Sequence, residues 1–396
     1  MNKKLIALAI AGAFAAPVAM ADNSNVTIYG EFAGSVDNVD GGSYNATGAI
    51  TTPSSSINSS ERRGRVSSNN SFLGFKGTED LGNGLSAIWQ FEQSIAIDKQ
   101  NINNNAGDTN PDLTSNQSRR QTFVGLASKQ WGAVTMGIHD TPLKTSIGPL
   151  DVFGQHTLAD YRSIIGAVGG SVRAQNSVMY TSPNFSGFTG KVLWAAMNEA
   201  GNNTTAGSVT NPTFWSTSGT YSNGPIYGAL AYERTKGAGI SAGVFGSVGT
   251  SPDASLKTTR AGFGYNFGAA KVGVAYERSD ANNTVQQYKR NAWYLSGAYT
   301  MGSNVLKAAY AKAGDMNCSG TGCGSSSDTG AQQYSLGLSH NFSKRTEMYA
   351  LYTKVKNDSN TSVYALGGGA TGIAQVTAAG NGASPSGFSV GMVHKF

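Results

Sequence analysis

The chain has 396 residues, with 52 Gly, 17 Tyr and 16 Phe but only 10 Pro and 2 Cys, and a formal net charge of +6. That glycine and aromatic content, with only 13% charged residues, is unlike a cytosolic enzyme and suits an exported chain of short strands and tight turns. The basic excess is small and its densest run is Arg62-Arg63-Gly64-Arg65, so nucleic acid is not an expected partner.

The N-terminus reads as a secretory signal: Lys3 and Lys4, then apolar Leu5 to Ala16, then Ala19-Met20-Ala21. The apolar part is too short to span a bilayer as a helix. Residues 1–21 are therefore an expected signal peptide, with 22–396 a single domain beginning at Asp22. Without Lys3 and Lys4 the basic count falls from 29 to 27 against 23 acidic residues, a net charge of +4. No later stretch approaches about 18 apolar residues, so no transmembrane helix is expected.

From there onward the pattern has period two. Leu85, Ala87, Trp89 and Phe91 alternate with Ser86, Ile88, Gln90 and Glu92; Val272, Val274 and Tyr276 with Lys271, Gly273, Ala275 and Glu277. The same alternation runs through Tyr334, Leu336, Leu338, His340 and Phe342. Alternation alone fits a soluble sandwich as well as a membrane barrel. Connection lengths separate the two. Tight turns (80–84, 128–131, 182–186, 222–224, 268–269, 301–302, 343–344) alternate with long polar connections (37–64, 96–119, 140–175, 198–212, 235–255, 314–331, 357–386). Short turns at one end and long loops at the other mark a transmembrane barrel.

The count between these connections predicts sixteen strands, from 26–36 and 71–79 through to 387–396, in an all-β antiparallel transmembrane β-barrel. An even count places both termini on the periplasmic side. Residues 240–249 also read as strand, but admitting them makes the count odd, so they are assigned to loop 235–255. In the last strand Phe388, Val390, Met392, His394 and Phe396 share one face. Phe396 is the expected closure residue, because a barrel in lipid must pair its final strand with its first.

Val26-Thr27-Ile28-Tyr29-Gly30, Gly74-Phe75-Lys76-Gly77-Thr78-Glu79-Asp80-Leu81-Gly82-Asn83-Gly84-Leu85 and Phe123-Val124-Gly125-Leu126 resemble the Gram-negative general porins of the neisserial and betaproteobacterial type. So do Tyr180-Thr181-Ser182-Pro183, Phe185-Ser186-Gly187-Phe188, Ser343-Lys344-Arg345-Thr346 and the terminal His394-Lys395-Phe396. The resemblance implies a sixteen-stranded outer-membrane barrel, usually a homotrimer, whose third external loop folds inward and narrows the pore. It implies passive diffusion of ions and small hydrophilic solutes, with no cofactor. Expected partners are outer-membrane lipid, lipopolysaccharide and, through the C-terminal strand, the barrel-assembly machinery.

In that reading loop 140–175 is the constriction loop, carrying Asp140, Asp151, Asp160, Lys144, Arg162 and Arg173. Carboxylates on an inward loop opposite cations on the wall set a transverse field that orients solutes and biases ion choice. Asp151, in Pro149-Leu150-Asp151-Val152-Phe153-Gly154, resembles the family's constriction acid most closely; each of the three is equally readable as a solvated or loop-capping carboxylate. Leu158, Tyr161 and Ile165 have helical spacing, which predicts a short helix packing the loop on the wall. Lys76 is expected to face the lumen, and Arg119 or Arg120 to reach it. The family commonly has a basic residue after Ser71, Gly137 and Val178, where this chain has Phe72, Ile138 and Met179. Phe72 and Met179 fall on the lumen phase and Ile138 on the lipid phase, so the basic wall reads as depleted and cation preference as the expectation.

Cys318 and Cys323 lie in a predicted external loop, where an oxidising compartment favours a disulfide over metal binding by two thiols. Gly237-Ala238-Gly239-Ile240-Ser241-Ala242 lacks the βαβ context of a dinucleotide site, and the four His show no metal-ligand spacing. The Asn-rich stretch 101–105 reads as a solvated loop. Two rival functions stay open: a substrate-selective channel, and an outer-membrane enzyme with a Ser/His pair at the lipid rim, for which only His340 and His394 have the right phase.

Overall fold

The computed structural model describes residues 25–42, 62–98, 120–155, 157–169, 172–196, 213–237, 253–283, 285–324, 326–367, 376 and 378–396. The expected signal peptide, the Asn-rich stretch 101–105, Arg119, His156 and residues 240–249 lie outside the described residues.

Eighteen antiparallel segments form one sheet. Two strands are each interrupted once, which makes sixteen staves in a closed barrel. They are β1 (Asn25–Asp40), β2 (Arg63–Ser68 and Phe72–Gly82), β3 (Leu85–Ser94), β4 (Thr122–Ser128), β5 (Gly132–Asp140), β6 (Arg173–Thr181), β7 (Phe188–Ala196) and β8 (Thr213–Asn223). The second half comprises β9 (Ile226–Lys236), β10 (Ser255–Asn266), β11 (Ala270–Asn282), β12 (Gln286–Met301) and β13 (Asn304–Ala313 with Asn317–Gly320). It ends with β14 (Ala331–Asn341), β15 (Thr346–Asn357) and β16 (Ser386–Lys395). Every strand pairs with its chain neighbours, and β1 closes the ring on β16 from Glu31↔Lys395 to Asp40↔Ser386. Among the described residues no helix is long and apolar enough to cross a membrane.

Period-two patterning turns each strand's apolar set outward. Phe263, Val274 and Leu295 lie side by side across β10–β12, and all are exposed. Val36 and Val390 do the same across the closing seam. An apolar outside and a closed hydrogen-bond ring meet the two demands a bilayer makes of strands. The opposite faces carry the buried polar residues, among them Glu277, Arg260, Arg290 and Ser216.

Several boundaries differ from the sequence reading. β1 runs on to Asp40 and a strand segment begins at Arg63, inside the expected loop 37–64 and ahead of the expected strand 71–79. Polar cross-strand partners extend the pair beyond the apolar band: Asp37 accepts from Arg65 Nε at 3.0 Å and from the hydroxyls of Ser67 and Ser389 at 2.6 and 2.7 Å. The break in β2 falls at Asn70, whose φ of 65° is a left-handed conformation that asparagine tolerates. Loop 314–331 likewise contains Asn317–Gly320, which pairs with Gln286–Lys289 of β12. Asp140 and Arg173 lie on strands, not in the loop between them, and face each other in the β5–β6 register.

Candidate functional site

The described part of the connection between β5 and β6, residues 141–172, is tied to the wall at several points. It opens with Thr141, whose side chain accepts from Lys144 N and caps a single turn, Pro142–Thr145. Leu143 N donates to Ser216 Oγ at 3.1 Å, and Leu143 O accepts from Arg260 Nη1 at 2.8 Å. Farther along, Tyr227 OH donates to Ser146 O and Ser296 Oγ to Leu150 O, both at 2.6 Å. These partners sit on the polar faces of β8, β9, β10 and β12. The predicted helix around Leu158, Tyr161 and Ile165 is only a three-residue 3-10 turn, Tyr161–Ser163, although all three side chains are buried.

Glycines give the segment room. A Cβ at Gly264 would lie 2.6 Å from Leu150, one at Gly262 2.8 Å from it, and one at Gly337 2.8 Å from Phe153. Ile147, Leu150, Phe153, Leu158, Ile164 and Ile165 then join one apolar cluster with wall residues.

A buried ion group locks the arrangement. Glu277 receives Arg260 through Nε at 3.1 Å and Arg290 through Nη2 at 3.1 Å, and accepts from Gly166 N at 2.9 Å. Arg290 Nη2 also donates to Ile164 O at 3.0 Å. Removing one partner of so buried a group leaves an uncompensated charge, typically costing about 3–5 kcal/mol. Sequence reading missed this trio, although Arg260 and Glu277 are direct cross-strand partners in the β10–β11 register and both lie on the polar phase.

The predicted charges divide into compact groups. Asp140 Oδ1 takes Lys144 Nζ at 2.7 Å and Arg173 Nε at 2.8 Å. Burial lowers the Lys144 pKa to about 8, while Asp140 pulls it the other way. Asp160 and Arg162 form a buried bidentate pair, and Asp160 also caps the 3-10 turn through Arg162 N at 2.9 Å. Asp151 Oδ1 accepts from Phe153 N at 3.0 Å, a turn-capping role. Arg120 pairs with Glu92 at 3.2 Å and stacks its guanidinium over the Phe72 ring at 4.3 Å. Glu92 also receives Tyr29 OH at 2.9 Å. Lys76 stands on the same face as Phe72, its Nζ 5.0 Å from the Tyr29 ring centroid. Met179 packs against Ala174, Leu193, Ala195 and Phe214 on the polar-phase side of β6. Ile138 keeps the outward phase of Val134 and Met136. Sequence reading also passed over Lys191, which pairs with Thr181 on that same inner phase.

The remaining predicted residues sit at the two ends of the barrel. Cys318 and Cys323 are bonded, with Cα atoms 5.7 Å apart, in the strand extension beyond the loop end of β13. Phe396 stacks on Phe32 at 5.5 Å beside the β1–β16 seam.

The pattern for Gram-negative porins matches residues 7–360. The major outer membrane protein P.IA of Neisseria meningitidis serogroup C is 26% identical, with all of both chains covered. Among solved structures, an anion-selective porin from Comamonas acidovorans superposes with a TM-score of 0.68 at 23% identity, covering 94% of this chain and all of that one. A trimer form of OmpT, an outer membrane protein of Vibrio cholerae, superposes at 0.63 with 14% identity, covering 95% of this chain and all of that one.

Proposed function

This chain belongs to the Gram-negative porin family and forms an outer-membrane channel; we propose that loop 141–172 folds inward and sets its narrowest point for passive diffusion of ions and small hydrophilic solutes. The observation that carries this reading is the row of hydrogen bonds from the loop to polar-face residues of four strands, Ser216, Tyr227, Arg260 and Ser296. In a closed barrel the face opposite the exposed apolar residues is the lumen. We further infer a homotrimer in contact with outer-membrane lipid and lipopolysaccharide and delivered through its C-terminal strand; the trimer form recorded for the Vibrio cholerae protein supports the first part.

The charge grouping favours anions, the reverse of the sequence-based expectation. That expectation treated Asp140, Asp151 and Asp160 as free field-setting charges. Asp160 is neutralised by Arg162, and Asp140 is shared by two cations, leaving that group one positive charge in excess. Lys76 and Lys191 make no ion pair among the described residues and add to the excess. Two unit charges about 4 Å apart at an effective dielectric near 20 interact by about 4 kcal/mol, enough to change ion occupancy in a narrow pore.

Planar-bilayer recording in a KCl gradient tests both points. A reversal potential of anion-selective sign is expected, increasing for Asp140→Asn and falling for Lys76→Gln. A cation-selective wild type would sink the charge reading. The absence of conducting steps would sink the channel itself.

An enzyme reading finds less support. His340 Nδ1 bonds Asn304 and His394 Nδ1 bonds Thr346 on the outer face, and among the described residues neither is paired with a serine. Ser177 and His139 do meet, at 2.8 Å, but both are buried and Ser177 Oγ also bonds Gly137 O.

A further inference from the structure

Cations are distributed unevenly around the outer face of the barrel. Strands β3 to β8 contain only Arg173, which bonds Asp140, and Lys191, which lies on the inner phase. Strands β9 to β15 differ. Arg234, Arg278, Lys312 and Lys354 each stand two residues beyond an outward-phase tyrosine (Tyr232, Tyr276, Tyr310 and Tyr352), always toward the long-loop end of the strand. Two residues of strand span about 7 Å. Aromatic rings on an outer wall mark the boundary between hydrocarbon and headgroups, so cations one step farther out stand at headgroup level.

The charge is most concentrated on β13–β15. Lys312 and Lys356 flank Gln332 in register, one from each neighbouring strand, and Lys354 is the partner of Tyr334. Lys312 and Lys356 are exposed and Lys354 is half-buried. On β11 Asp280 answers Arg278 at 3.3 Å, whereas none of these three lysines makes an ion pair among the described residues. Two strand spacings set Lys312 and Lys356 about 10 Å apart with Gln332 between them.

Gln332 is held in place. Its Oε1 accepts from Tyr310 OH at 3.2 Å and from Tyr334 OH at 2.5 Å, and the two rings lie 5.2 Å apart. With the carbonyl engaged, the side chain offers the two N–H donors of its amide. On the same phase, farther from the long loops, Leu306, Leu336 and Leu338 are all exposed. The patch therefore joins three ammonium groups and an oriented amide donor to an apolar wall. A solute in the passage does not meet it, because it lies on the opposite face of the sheet. Its complement is a molecule with anionic oxygens at headgroup level and hydrocarbon below them; lysine binds phosphate as a point charge, and its stem can lie along apolar surface.

We propose that the outer surface of β13–β15 is a binding site for a phosphate-bearing glycolipid of the outer leaflet. Lys312, Lys354, Lys356 and the Gln332 amide hold the phosphate, and the acyl chains lie on the leucines below. The proposal rests on the outer-membrane reading above and gives the lipopolysaccharide contact inferred there a specific place on the wall. Tyr310 and Tyr334 are positioning residues, acting through Gln332.

Equilibrium binding of fluorescent lipid A, the phosphorylated anchor of lipopolysaccharide, to the detergent-solubilised barrel tests the site. A dephosphorylated form is the second probe, and channel conductance is recorded on the same preparations. Wild type should bind the phosphorylated form at least about tenfold more tightly, since each cation at a lipid surface is worth about a fivefold gain. The combination Lys312→Gln, Lys354→Gln and Lys356→Gln should remove most of that difference. Binding of the dephosphorylated form and conductance should both stay unchanged. Gln332→Glu, which sets an anion between the lysines, should weaken the phosphorylated form alone, and it decides the matter if the triple variant yields no folded barrel. Equal affinity of wild type for the two lipids overturns the proposal, as does a full preference retained in the folded triple variant or in Gln332→Glu. Displacement of the lipid by millimolar inorganic phosphate would make this a free-anion site and overturn the lipid occupant. A wild type without conducting steps would instead sink the channel reading, which the lipid measurement does not depend on.

Discussion

Gly30 and Phe396 exchange both backbone hydrogen bonds, Gly30 N to Phe396 O at 3.1 Å and Phe396 N to Gly30 O at 3.2 Å. The last residue of the chain is therefore part of the ring. A Cβ on Gly30 would stand 2.6 Å from the Phe396 ring and 2.6 Å from Phe72 O, and the latter is backbone that cannot swing aside. Gly30→Val and deletion of Phe396 should each lower the heat-modifiable, folded fraction recovered from outer membranes, while Phe396→Tyr should retain it. Equal yields for wild type and the deletion would remove Phe396 from closure.

Selectivity should vary with pH through Lys144. Burial lowers its pKa from 10.5 to about 8, so it loses its proton as pH rises from neutrality past that value. Asp140 then keeps only Arg173, and local charge falls by one. Anion preference should weaken between about pH 7 and 9, and Lys144→Met should show no such step. The linkage has a definite sign: between about 8 and 10.5 the unfolded chain holds this proton and the folded one does not, so the Lys144 contribution to stability rises with pH across that window. Reversal potentials across the range check the first statement, and thermal denaturation of wild type against Lys144→Met checks the second.

Glu277→Ala leaves Arg260 and Arg290 without their shared carboxylate. The expected cost is about 3–5 kcal/mol, felt first where those arginines hold Leu143 O and Ile164 O. Single-channel current should become noisier as loop 141–172 loosens, and the loop should become cleavable by protease. Quiet, wild-type traces from the variant would show that apolar packing alone seats the loop.

The Cys318–Cys323 bridge should matter little to conduction. With a sequence separation of 5 it closes a short loop, worth about 2 kcal/mol by chain entropy, and it stabilises a strand extension outside the apolar band. Replacing both cysteines by Ser should leave conductance within error and increase protease nicking near residue 320. A large conductance loss would place that extension in the ion path.

Strand content was legible in the sequence because period-two patterning is local and a bilayer enforces it on every stave. Phe72, Met179 and Ile138 could each be assigned a face by phase alone, because the strand register keeps the two-residue alternation at all three positions. What phase cannot supply is which polar side chains pair with one another once strands and loop are assembled. Asp160 reads the same whether it faces solvent or Arg162, and nothing near Glu277 in sequence announces that Arg260 and Arg290 converge on it.

Every stave bonds to its chain neighbours, and among the described strand pairings β1–β16 alone joins the two ends of the chain. Hairpins between consecutive strands cost little to close. Bringing Glu31 beside Lys395 costs about 5 kcal/mol of chain entropy by the logarithmic rule. That cost falls on a single step, so the transition state for barrel formation should lie at the joining of the two ends. Substitutions at the β1–β16 seam should change how fast the protein folds, whereas equally disruptive ones in the β10–β12 wall should mainly change how fast it unfolds.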